Sequence, residues 1–239
     1  MYHFYADDGR ILTPPKELKP LLRCAYPAFF QALGHIRFFY VTNEIWDGKS
    51  SLVFDSNDKQ LAAITLEDDA FQITIANENF RIVDESALCD VYRMLKNTAS
   101  ANQYRPVEQL TVDLNEYPSG IRCDLCLLEK RHNRNDFEGS RKFATMDHNC
   151  YYGVEDGWGM GVFTPSYCEG KQECYTKTYA CLSKKGFNNC LECGEYSTCG
   201  NCGVGHNPGE CNLGITAEEV TKLVLPYCEI ERLDLLRKM

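Results

Sequence analysis

Only Cys24 and Cys89 of the fourteen cysteines precede residue 120, and the rest crowd the second half of the chain. Three Cys-x-x-Cys pairs stand out there, Cys123/Cys126, Cys190/Cys193 and Cys199/Cys202, with Cys150, Cys168, Cys174, Cys181, Cys211 and Cys228 around them. Two intervening residues let both sulfurs approach one ion while turn amides hydrogen-bond to the thiolates, which is why this spacing dominates structural zinc sites. One such pair carries little information, whereas three in one chain point to metal. The second half is therefore expected to be an irregular, metal-stabilised cysteine-rich domain.

Disulfides are the competing use of so many thiols. The N-terminus, MYHFYADDGR, lacks the basic segment and apolar run of a signal peptide. No later window supplies the run of about eighteen apolar residues that a membrane span needs. A cytoplasmic chain with no membrane association is expected, and in a reducing compartment its thiols serve as metal ligands or redox groups.

The formal net charge of −9 counts against a phosphate-binding surface, because duplex affinity comes mostly from Lys and Arg. The basic run EKRHNRNDFEGSRK, residues 129–142, has acidic residues interspersed and reads as a solvated face. Between Gly186 and Gly214 there is neither Lys nor Arg, so nucleic acid is not expected as a partner. Gly157-Trp158-Gly159-Met160-Gly161 follows no strand and lacks a phosphate-binding lysine, and it reads as a loop.

Composition divides the chain near Pro118-Ser119-Gly120, into an α+β domain over 1–118 and a cysteine-rich zinc-binding domain with C-terminal helices over 119–239. KELKPLLRCAYPAFFQAL has helical spacing, with Pro20 and Pro27 expected to kink or divide it. Strand-like runs follow at RFFYVTNEIW (37–46), SLVFD (51–55), QLAAITL (60–66), AFQITIA (70–76) and FRIV (80–83). DGKS, SNDK and EDD between them supply turn chemistry, so an antiparallel meander is the simplest assembly.

One face of that sheet needs a helix. DESALCDVYRMLKNT (84–98) places Leu88, Val91, Tyr92 and Leu95 on one side, with Asp84 or Ser86 as its cap. Cys24 and Cys89 read as buried thiols, and VEQLTVDL (107–114) as a closing strand. His3 and His35 make no site by themselves. Trp46-Asp47-Gly48-Lys49-Ser50 and Phe71, within this order of elements, resemble a family of small bacterial α+β domains of unknown function. The resemblance brings no activity with it.

In the second half, CGNCGVGHNPGEC (199–211) resembles a retroviral-type zinc knuckle, with three residues instead of the usual four between Cys202 and His206. Cys199, Cys202, His206 and Cys211 would then share one ion, leaving Cys190 and Cys193 to pair with Cys174 and Cys181. A competing arrangement puts Cys190, Cys193, Cys199 and Cys202 on a single ion; separate ions are the preferred expectation. Cys123, Cys126 and Cys150, with Cys168 or His148, compose a third candidate site.

The order Cys-x8-Cys-x2-Cys-x5-Cys from Cys181 to Cys199, with Lys185-Gly186 and Tyr196, is similar to a cysteine-rich bacterial and archaeal family of unknown function. That resemblance implies metal binding and no established reaction. The tail ITAEEVTKLVLPYCEIERLDLLRKM reads as helical, with a Thr216/Glu219 capping box, an interruption at Pro226 and Cys228 buried. Val220, Leu223, Val224 and Leu235 are its expected core residues.

Zinc is the expected ion, since a histidine-containing knuckle suits it and the compact ferredoxin spacing is absent; an iron–sulfur cluster is the alternative. The function expected is a zinc-stabilised module that binds a small molecule or protein. The alternative is a redox sensor or thiol enzyme using Cys150, Cys168 or Cys228, which would need an exposed thiol of low pKa.

Overall fold

Pro20 and Pro27 divide the first helical stretch because neither can donate an amide to a preceding turn. The computed structural model describes residues 4–5, 11–12, 18–125, 176–199 and 213–239. The chain forms two compact units, Met1–Arg105 with Asn207–Val220 and Pro106–His206 with Thr221–Met239. The division at 105 lies upstream of the composition boundary expected at 118, and a later segment returns to the first unit.

In unit 1, β1 (Phe4–Tyr5) and β2 (Ile11–Leu12) pair antiparallel. Helix α1 (Lys19–Leu22), a 3-10 turn (Arg23–Ala25) and α2 (Tyr26–Phe39) follow, the two α-helices each with a proline in the first turn. The meander is then β3 (Asn43–Trp46), β4 (Ser51–Ser56), β5 (Lys59–Glu67), β6 (Ala70–Ile75) and β7 (Glu78–Ile82), neighbours in space as in sequence. Its turns use the expected residues: Asn57 and Asp58 both adopt positive φ between β4 and β5, as a tight hairpin requires. Asp47 Oδ1 accepts the amides of Lys49, Ser50 and Ser51 at 2.7, 2.8 and 3.0 Å between β3 and β4.

Alternation decides which sheet face is dry. Leu52, Phe54, Ile64, Phe71, Ile73 and Ile75 form one buried cluster with Phe29, Leu33 and Ile36 of α2. Helix α3 (Leu88–Thr98) adds Leu88, Val91 and Leu95 to it, and Asp84 caps the preceding 3-10 turn by accepting the Ser86 amide. Each large aliphatic buried in this way contributes roughly 1.5–3 kcal/mol. Leu213 joins the cluster, and the Glu44 amide donates to the Ile215 carbonyl at 3.3 Å, so the returning segment completes unit 1 beside β3.

Three expectations for the first half are corrected. Residues 37–39 are the end of α2, not strand. The reason is Arg37: its guanidinium lies inside and donates two hydrogen bonds of 2.7 Å to Glu44, both side chains having 0% exposure. Residues 107–110 form a helical turn, α4 (Val107–Leu110), started after Pro106; the carbonyls of Glu108 and Thr111 accept the Arg122 guanidinium instead of a neighbouring strand. Cys24 and Cys89 are exposed. Ala25 and Leu88, their chain neighbours, take the buried positions, and on a helix the next residue is turned about 100° away.

In unit 2, α4 is followed by a turn at Pro118-Ser119-Gly120, where Gly120 has φ +89°. A Cβ there would lie 3.2 Å from Leu233 Cγ and 3.3 Å from the Glu229 carbonyl oxygen, so glycine serves both conformation and close approach. Helices α5 (Thr176–Lys185) and α7 (Glu229–Lys238) belong to this unit, while α6 (Ala217–Glu219) belongs to unit 1. The Thr216/Glu219 capping box forms, and around Pro226 the tail passes through π and 3-10 turns as Val220–Val224 and Leu225–Tyr227. Val220 and Val224 are buried, Leu235 is half-buried, and the Leu223 side chain lies outside the described residues.

Replacing Glu44 with Ala leaves the Arg37 charge inside without its carboxylate, and should cost about 3–5 kcal/mol in urea unfolding. The paired change Arg37→Met with Glu44→Leu should recover most of that loss.

Candidate cysteine site and aromatic cavity

Helix α5 carries Cys181 and ends where Gly186 turns to φ +71°. There the Phe187 amide donates to the Leu182 carbonyl at 3.0 Å, closing the last turn as a glycine after a helix allows. Two 3-10 turns follow, Cys190–Glu192 and Tyr196–Thr198, and they present Cys190, Cys193 and Cys199 in succession. The first is anchored by the Cys190 amide on the Pro118 carbonyl at 2.8 Å and by Asn188 and Asn189 on the Glu192 carboxylate. The second is anchored by Tyr196, whose hydroxyl donates to Asp234 and whose ring lies 4.6 Å beneath the Arg237 guanidinium. Burial, and then the Asp234 carboxylate, push the Tyr196 hydroxyl up to about 12.

Cys181, Cys190, Cys193 and Cys199 line one cavity of about 10 Å³, with Leu182 and Phe187 among its walls. Cys190 and Cys193 also belong to a buried cluster with Leu182, Tyr196 and Leu233, so these thiols are embedded among apolar side chains. Lys185 closes one side: its ammonium donates to Cys193 Sγ at 3.5 Å and lies 3.7 Å from Glu195. The Cys193 sulfur, ahead of other neighbours, holds the Lys185 pKa above its ordinary value.

In the preferred expectation Cys199 belonged to a knuckle; it lines a cavity with Cys181, Cys190 and Cys193. Cys202, His206 and Cys211 of the knuckle lie outside the described residues, as do Cys174, Cys126, Cys150, Cys168 and His148. Cys123 is buried near Tyr179, whose hydroxyl is raised first by burial and then by that thiol. Arg122, beside it, is fixed by bonds of 2.7 and 2.6 Å to Asp124.

Cys228 is fully buried and its thiol donates to the Val224 carbonyl at 3.3 Å, which does not suit an exposed redox thiol. No disulfide joins two described cysteines. Among the described residues no group of three or more His, Cys, Asp or Glu side chains is placed so that it could hold an ion. The donor chemistry of the four-cysteine cavity suits a thiophilic ion, while the sulfurs as placed do not converge on one point.

A second cavity, of about 460 Å³, lies wholly in unit 1, where no sequence motif pointed to a site. His35, Phe39 and Tyr40 line it from α2 and its end, Tyr92, Arg93 and Lys96 from α3, and Tyr104 from the stretch that follows. Tyr104 is placed by a β-bridge to Tyr40 and by its hydroxyl, which donates to the Lys96 carbonyl at 3.0 Å. His35 and Tyr92 stack with centroids 3.8 Å apart and planes 12° from parallel.

The chain matches no protein-family model, no curated protein and no solved structure at a significant level. Among the described residues, no helix is long and apolar enough to cross a membrane.

Burial lowers the His35 pKa from 6.5 to about 4, and among the described residues no carboxylate lines its cavity to oppose this. The unfolded chain therefore takes up a proton on His35 that the folded chain refuses between those values. This contribution to stability is complete above the unfolded pKa and is lost as pH falls toward the folded one, by roughly 2–3 kcal/mol. Urea unfolding at pH 7 and at pH near 4.5 should show a smaller loss for His35→Gln than for the parent chain.

Proposed function

We propose that the protein is a metal-stabilised interaction module, in which Cys181, Cys190, Cys193 and Cys199 bind one zinc ion and the partner is a small molecule or a protein. The observation carrying the metal reading is the shared cavity of those four cysteines, about 10 Å³ in volume. That is close to one water-sized sphere, which suits a single ion better than a many-atom iron–sulfur cluster. The same four cysteines make up the Cys-x8-Cys-x2-Cys-x5-Cys order whose resemblance implies metal binding.

Binding requires the sulfurs to be drawn together, and the 3-10 turns that carry three of them are short enough to adjust. A zinc held by four protein ligands has no open position, so it organises the turns without activating water. A structural zinc contributes on the order of 10 kcal/mol to folding. No reaction is assigned to the site.

One observation favours a second reading. The Lys185 ammonium lies 3.5 Å from Cys193 Sγ, and a cation beside the sulfur is a setting that redox-active cysteines also use. Elemental analysis of the full chain, combined with thiol titration under native conditions, separates the two. At least one zinc per chain, with Cys193 unreactive until a chelator is added, is the expected result. Metal-free protein with a reactive Cys193 overturns the metal reading in favour of redox chemistry, and bound iron with visible absorbance overturns zinc in favour of a cluster. Cys181→Ser and Cys190→Ser should each lower zinc content and stability, while Cys24→Ser and Cys89→Ser, at exposed positions, should change neither.

A further inference from the structure

We infer that the aromatic cavity of unit 1 is a binding site for a small molecule that combines a planar aromatic ring with one anionic group. This takes up the ligand-binding half of the proposed function and uses none of the cysteines. Its volume of about 460 Å³ lies within the range of roughly 300–1,000 Å³ usual for small-ligand sites. The walls are rings: His35, Phe39, Tyr40, Tyr92 and Tyr104. Phe39, Tyr92 and Tyr104 are only half-buried, so part of their apolar surface faces water that a flat ring would displace.

Charge then narrows the class. Among the described residues, the only charged side chains lining the cavity are Arg93 and Lys96, and no carboxylate faces them across it. Arg93 is paired with Asp90 at 2.9 Å on its own helix, whereas no ion pair involves Lys96 among the described residues. His35, with its pKa near 4, is a neutral ring at physiological pH and adds stacking surface without charge. An unneutralised ammonium beside stacked rings, in a chain of net charge −9, is arranged for an anion that arrives attached to an aromatic system.

Hydroxyl bookkeeping points the same way. Tyr104 donates to the Lys96 carbonyl, and Tyr40 is hydrogen-bonded to Tyr104. Tyr92 has no hydrogen-bond partner among the described residues, and burial pushes its hydroxyl up to about 12, so it remains a donor at any physiological pH. It is one turn from Lys96 on α3, and the two can address one polar substituent from the same side.

Two anions satisfy this chemistry, a carboxylate and a phosphate, and the test carries one arm for each. The full chain is titrated with 2-naphthoate and with adenosine 5′-monophosphate, following the His35 and Tyr92 ring signals by NMR. 2-Naphthylmethanol, a ring without charge, and cyclohexanecarboxylate, a charge without an aromatic ring, serve as controls. At least one aromatic anion is expected to shift both residues with Kd below about 1 mM, and each control to bind at least about tenfold more weakly. Binding of 2-naphthoate alone assigns an aromatic acid, and binding of the nucleotide alone assigns a phosphate ester.

Tyr92→Ala should abolish binding. Because that change also removes a packed ring, Lys96→Gln, at an exposed side chain, decides the matter, with affinity expected to fall about threefold to fivefold. The inference is overturned if neither anion shifts His35 and Tyr92, if the neutral ring binds as tightly as the anions, or if Lys96→Gln leaves affinity unchanged. Every readout lies on unit 1, so these outcomes stand whether or not the cysteines bind zinc.

Discussion

A guanidinium and a carboxylate shut away from water must be paired with each other, and the pairing of Arg37 with Glu44 shows how much structure that demand can fix. Arg37 is on the last turn of α2 and Glu44 is the second residue of β3, so the two bonds between them set the angle at which helix gives way to sheet. The Arg105 side chain then donates to the Arg37 carbonyl at 3.0 Å, and Tyr104 pairs with Tyr40 next to it. The first strand of the meander and one wall of the aromatic cavity thus share an origin in one buried ion pair.

In the second unit the anchoring falls to side chains reaching backbone and rings. Arg122 gathers the carbonyls of Glu108 and Thr111, and Tyr196 fixes the turn before Cys199 to α7. Cys190 and Cys193 pack with Leu182 and Leu233, so sulfur and hydrocarbon share the interior. A thiol in such surroundings behaves as a small apolar side chain unless a cation approaches, and Lys185 is the cation that does.

The meander was legible in the sequence because its signals are local: alternation along each strand, and turn residues such as Asn57-Asp58 able to take positive φ. The end of α2 was not. Arg37-Phe38-Phe39 has strand-like composition, and its helical turn is tied to Glu44 seven residues on, a contact that local patterning does not show. The exposure of Cys24 and Cys89 turned on which of two adjacent residues faces inward, finer than periodicity resolves. The cysteine spacing marked a region of the chain, and four of its described cysteines line one cavity. Which cysteines share a cavity depended instead on the turn anchored by Tyr196 and Asp234, residues far apart in the chain. The aromatic cavity was invisible for the same reason, since its lining comes from three separate stretches.

The chain passes from one unit to the other at 105, at 206 and again at 220. Neither unit is a continuous length of polypeptide, so a ribosome cannot finish the first before much of the second has emerged. Until Leu213 and Ile215 arrive, the nascent sheet carries an uncovered margin at Glu44 and a gap in its apolar layer. A fragment cut at residue 105 would keep both defects permanently, and sticking to its own copies is the outcome such an edge invites.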